Sequence, residues 1–107
     1  MTVRTRHEER YDKNKDLVLS SIRNVLENES CFIGTIEGAN NTFLTHYEPF
    51  PIAATTYLNI YVENDKKDVK VIAYIKSFNT LQIDIFRYYD KCISNFFTKL
   101  KQELNKA

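Results

Sequence analysis

Glycine, proline and cysteine each occur only twice in these 107 residues, methionine once and tryptophan not at all. Two glycines, Gly34 and Gly38, are too few for a GxGxxG or Walker loop, so nucleotide binding by those routes is excluded. Cys31 and Cys92 stand far apart at no metal or redox spacing, and are expected as buried thiols in a reducing compartment. No stretch approaches the roughly 18 apolar residues of a membrane helix, and the first residues lack the apolar core of a signal peptide. A cytoplasmic protein that does not engage a membrane is the expectation. The histidines and carboxylates cluster at no ligand spacing, so neither a metal nor another cofactor is expected.

Charge of one sign is also missing. Fifteen Lys and Arg face fourteen Asp and Glu, a net charge of +1, so no long-range field gathers polyanions and nucleic acid is not an expected partner. Arg4, Arg6, His7 and Arg10 do crowd the amino terminus, but Glu8 and Glu9 offset part of that charge. The aromatic interleaving of single-strand binders is absent there, so a solvated strand or arm is preferred to a phosphate-binding one.

What is present is a globular composition: 43% hydrophobic and 27% charged residues, enough for one domain spanning residues 1–107 with a core that needs no metal or disulfide. Asn, Lys and Ile occur ten times each, the bias of AT-rich codons, which points to a low-GC bacterium. Two sequons, Asn28-Glu29-Ser30 and Asn40-Asn41-Thr42, carry no weight in a protein that is not secreted.

Val3 to Tyr11 alternates without a strong apolar face and fits an edge strand or a loose arm. Asn14 is a suitable N-cap, and from Lys15 to Asn28 the residues Val18, Leu19, Ile22, Val25 and Leu26 recur at three-and-four spacing, which predicts a helix with one buried stripe. Cys31 to Glu37 and Thr42 to Tyr47 are expected as a hairpin around Gly38-Ala39-Asn40-Asn41, ended by the connection Glu48-Pro49-Phe50-Pro51. Thr55 to Lys76 is a second hairpin turning at Asn64-Asp65-Lys66-Lys67. Its expected register sets Glu63 opposite Asp68, Val62 opposite Val69, Ile60 opposite Val71 and Leu58 opposite Ala73. Leu81 to Ile85 alternates like a short strand and merges into a helix over 84–104, with Asp84 as its candidate N-cap and a stripe of Ile85, Tyr89, Cys92, Ile93, Phe96, Leu100 and Leu104. The fold expected is α+β: a mainly antiparallel sheet of four to five strands with two helices, near 15–28 and 84–104, on one face, in the order (β)αββββα.

Each candidate site has a plainer reading beside it. His46 and Glu48 share a strand face, as a general base and its orienting carboxylate would, but no nucleophile motif accompanies them and Glu48 precedes a proline, so an enzyme is the least favoured function. Phe96 and Phe97 near Tyr88 and Tyr89 are better explained by core packing and its flanks than by a ligand box. The hairpin face opposite the core is harder to dismiss. It carries Tyr57, Asn59 and Tyr61 on one strand and Ile72 and Tyr74 on the other, rimmed by Lys70 and Lys76. A contiguous tyrosine-rich patch is typical of interaction surfaces, unless the first strand or the Pro49-Phe50-Pro51 loop covers it.

The element order, with its Ile93 to Leu104 ending, resembles the helix-on-sheet arrangement of small bacterial domains with a TATA-binding-protein-like or helix-grip layout, several of which have no assigned function. The resemblance implies a fold and no functional residue. The leading expectation is a non-enzymatic binding or protein-interaction module, with a protein partner or a second copy on the outer hairpin face. The alternative is a small-ligand carrier with a pocket between the sheet and the terminal helix, lined by Tyr89, Ile93 and Phe96.

Overall fold

The computed structural model describes residues 3–47, 56–77 and 88–106. Helix α1 spans Lys15–Asn28, where the sequence places it. Asn14 is extended, and its side chain accepts a hydrogen bond from the Asp16 amide at 2.7 Å, satisfying one of the free donors of the first turn. The stripe of Val18, Leu19, Ile22, Val25 and Leu26 is buried, joined by Ser21. The last turn closes when the Glu29 amide bonds the Val25 carbonyl.

Five strands form one antiparallel sheet: β1 (Val3–Tyr11), β2 (Phe32–Gly38), β3 (Thr42–Tyr47), β4 (Thr56–Asp65) and β5 (Asp68–Ser77), in the spatial order β1-β5-β4-β3-β2. The amino-terminal segment is therefore an edge strand, paired with β5 from Val3 opposite Ser77 to Tyr11 opposite Val69. β1 and β2 occupy opposite edges, so α1 must carry the chain across the sheet. Fourteen helical residues at about 1.5 Å each match four strand spacings of about 4.8 Å. The edges are protected differently: β1 bears Arg6, Glu8 and Arg10, whereas β2 is irregular between Ile33 and Ile36, with Gly34 at φ 65°. Helix α2 spans Tyr88–Lys106. The expected strand at Leu81 to Ile85, the cap Asp84 and the Glu48-to-Pro51 connection lie outside the described residues.

The central hairpin corrects the expected register by two residues. Glu63 lies opposite Lys70 rather than Asp68, and Val62, Ile60 and Leu58 lie opposite Val71, Ala73 and Ile75. The reversal needs only Lys66 and Lys67, because Lys66 adopts φ 59°, and the tighter turn lets Glu63 pair with Lys70 at 2.9 Å. A shift of two keeps every side chain on its face, since strand side chains alternate with period two. In the first hairpin Asn40 and Asn41, both at φ 59°, supply the left-handed positions instead of glycine. Gly38 serves another need: a Cβ there would lie 2.7 Å from the Thr42 hydroxyl.

Both helices cover one face of the sheet. Leu58, Ile60 and Val62 of β4 and Val69, Val71, Ala73 and Ile75 of β5 meet Ile22 and Val25 of α1 and Phe96, Leu100 and Leu104 of α2 in a single core. Phe32 links the layers, its ring 5.6 Å from Tyr47 and 6.4 Å, edge-on, from Phe96. Phe97, expected as a flank, is buried and meets His7 of β1 edge-on at 5.2 Å. Cys92 is buried as expected, but Cys31 precedes β2 and is only half-buried; both are free thiols, and burial is the main cause raising each above the usual thiol range.

Thr45 is a fully buried polar residue in this core, its hydroxyl 3.0 Å from that of Thr35 and donating to the Ile33 carbonyl at 3.3 Å. Thr45→Val keeps the shape and removes both bonds. It should lower the unfolding free energy by about 1 kcal/mol in a urea titration with an unchanged slope.

Candidate functional site

Pleating sends alternate residues of each strand away from the helices. On β4 these include Tyr57, Asn59 and Tyr61; on β5 they include Ile72 and Tyr74. Register then joins them, since Asn59 lies opposite Tyr74 and Tyr61 opposite Ile72. The diagonal pair Tyr61 and Tyr74 stacks, with ring centroids 5.7 Å apart, planes 8° apart and hydroxyls 3.2 Å apart. All five sequence-derived surface residues thus occupy one contiguous face.

That face extends further than the hairpin. β3 adds Leu44 opposite Asn59 and His46 opposite Tyr57, and β2 adds Ile36 opposite Leu44 and Ile33 opposite His46. Ile33 and Ile36 are three apart, so a regular strand would send them to opposite sides. The irregularity around Gly34 inserts one extra residue and turns both outward. Ile36 is 63% exposed, Ile33 46%, Tyr61 39% and Tyr57 38%, a row of large side chains that the helices do not cover. No pattern in the sequence of β2 marks these isoleucines, because the bulge is needed to align them.

Charge borders the face along β1 and at the β4–β5 turn in matched pairs. Arg6 meets Glu8 at 3.1 Å, Lys70 meets Glu63 at 2.9 Å, and the Arg10 guanidinium donates to Asp65. The hydrogen bond from Arg10 holds the Asp65 carboxyl below the usual range, and the bond to Glu63 raises Lys70. These cations are therefore already neutralised at the rim. β1 lies beside β5 instead of folding over it, Arg6 being opposite Tyr74 and Glu8 opposite Ile72. Lys76 belongs to β5, but its side chain, like the Pro49-Phe50-Pro51 loop, lies outside what is described.

His46 belongs to this outer face, half-buried, with its ring edge-on to Tyr57 at 4.6 Å. Its sequence partner Glu48 lies outside the described residues. Of the three residues expected to line a ligand pocket, Ile93 is buried and Phe96 fully so, with Phe96 enclosed by Phe32 and by Phe97 at 5.2 Å; the side chain of Tyr89 is not described. Phe96 thus packs as core, while Ile93 reaches an open groove of about 470 Å³ between β1 and α2, beside His7, Phe97 and Lys101. Among the described residues no three His, Cys, Asp or Glu side chains form a metal-binding group, and no helix is long and apolar enough to cross a membrane.

The arrangement defines a small α+β fold, one antiparallel sheet with two helices on one face and, on the other, an aromatic face that no described helix or strand covers. No protein-family model and no curated protein matches the chain. Several solved structures are similar to it, three of which illustrate the likeness. Ara h 8.0201 aligns over 100% of both chains at 5% identity with a TM-score of 0.56. The protein of unknown function SA2116 from Staphylococcus aureus aligns over 99% of this chain and 95% of its own, at 8% identity and a TM-score of 0.55. The KanY protein aligns over 99% of this chain and 97% of its own, at 11% identity and a TM-score of 0.55. At such identities the likeness shows the fold alone.

Proposed function

We propose that this protein is a non-enzymatic interaction module of helix-grip layout whose outer sheet face pairs with a second copy of the same chain. The observation that carries this reading is the continuous row of Ile33, Ile36, Leu44, His46, Tyr57, Tyr61, Ile72 and Tyr74 on the face the helices leave open. Five strands about 4.8 Å apart and some 25 Å long present roughly 600 Å² in projection, near the 800 Å² or so per partner of a standard interface. An apolar, tyrosine-rich centre within a charged rim is the anatomy such interfaces have. Among the described residues, the rim cations Arg6, Arg10 and Lys70 are paired within the chain, which lowers the repulsion between two copies and favours no oppositely charged partner.

Sedimentation equilibrium of the wild type and of the Tyr61→Glu, Ile72→Lys double variant tests this. The wild type should approach twice its 12.6 kDa mass, and the variant should remain folded by circular dichroism with self-association weakened at least about 100-fold. Both substitutions place a charge at the centre of the face, and a two-fold interface counts each of them twice. Two identical, folded monomers would remove the dimer reading.

A further inference from the structure

We propose that the groove between β1 and α2 is a separate binding site for a small aromatic monocarboxylate. It lies on the helix side of the sheet and does not rest on self-association. Its volume of about 470 Å³ falls within the usual range for small-molecule sites, roughly 300–1,000 Å³.

The sequence spacing of α2 builds one wall. Ile93 and Phe97 are four apart and form the apolar floor; Ser94, Thr98 and Lys101 follow at spacings of four and three and form a polar lip. β1 supplies the other wall through His7 and Glu9, which face the helix side because they lie opposite Ala73 and Val71, with Arg6 lining the groove from the strand edge. The His7 and Phe97 rings meet edge-on at 78°, so they form two sides of a corner against which a planar ring can pack.

The charge pattern specifies the rest of the ligand. Glu9 is engaged on both oxygens, Oε1 lying 3.5 Å from His7 Nε2 and Oε2 accepting the Tyr11 hydroxyl at 2.8 Å. On α2, Lys99 pairs with Glu29 at 3.4 Å and Lys106 with Glu103 at 3.2 Å. Lys101 is exposed and has no carboxylate partner among the described residues, yet it lines this groove and the adjoining depression toward Tyr11 and Leu104. Arg6, the other cation lining the groove, is paired with Glu8 at 3.1 Å, so one unpartnered ammonium beside an engaged carboxylate matches a single negative charge and disfavours a dianion such as a phosphate monoester. A carboxylate at Lys101 with its ring against Phe97 and Ile93 satisfies both features.

Titration of the full chain with 2-naphthoate, followed by amide chemical shifts, tests the site. The expected shifts centre on His7, Glu9, Ser94, Thr98 and Lys101. Lys101→Glu should weaken binding about tenfold or more, the scale of one charge-assisted contact. Thr98→Trp should abolish binding by filling the groove, and uncharged 2-naphthalenemethanol should bind at least about tenfold more weakly than the carboxylate. The Tyr61→Glu, Ile72→Lys variant should bind as the wild type does, which separates this site from the outer face. No shifts at millimolar 2-naphthoate, shifts on β3 and β4 instead, or unchanged affinity in a folded Lys101→Glu chain would overturn the proposal.

Discussion

Phe96→Ala should lower the unfolding free energy by about 3–5 kcal/mol, a large part of the roughly 5–15 kcal/mol that holds a domain of this size together. Among the described residues Phe96 is the largest fully buried side chain, and its ring contacts join Phe97 of α2 to Phe32 at the start of β2, which in turn packs on Tyr47. Removing the ring discards its transfer energy and leaves a void that its aromatic neighbours Phe32 and Phe97 cannot both move to fill. Thermal unfolding followed by circular dichroism should show a midpoint lower by on the order of 20 °C. A loss below about 1 kcal/mol would mean that α2 is held elsewhere than at this aromatic junction.

The second large effect comes from two adjacent residues with opposite roles. Ile60 is fully buried on the core side of β4, between Phe43 and Ala73 on the neighbouring strands, and Ile60→Ala should cost about 2–5 kcal/mol of stability. Tyr61 is 39% exposed on the outer side, and Tyr61→Ala should change monomer stability by less than about 1 kcal/mol. The same substitution should weaken self-association by about tenfold or more if Tyr61 anchors the interface. Urea unfolding of each variant, paired with sedimentation over a concentration series, gives both readings. Equal stability losses from the two variants would contradict the separation of faces.

Much of the fold was legible from local pattern. Val18 to Leu26 follows the helical period, Asn14 caps it, and α1 occupies the residues expected. In the central hairpin the faces were legible but the register was not. Alternation has period two, so pairing Ile60 with Val71 or with Ala73 buries the same side chains. The choice falls to the conformation of Lys66 and to the pairing of Glu63 with Lys70. The amino-terminal segment was ambiguous because an edge strand needs little apolar surface; its pairing with β5 joins residues separated by 58 (Tyr11 and Val69) to 74 positions (Val3 and Ser77).

The surface residues divide in the same way. Tyr57, Asn59, Tyr61, Ile72 and Tyr74 sit on two consecutive strands, so alternation and one turn were enough to group them. Ile33 and Ile36 join them only because the chain bulges at Gly34, and Leu44 and His46 only because β3 lies beside β4. The groove that places His7 and Glu9 beside Phe97 and Lys101 requires β1 and α2, from opposite ends of the chain, to lie together. By itself the sequence determined what depends on neighbours a few residues apart: which segments become helix or strand, and which side of each is apolar. Tertiary structure decided register, strand order, the bulge and the groove, because those depend on contacts between distant residues that local periodicity does not encode.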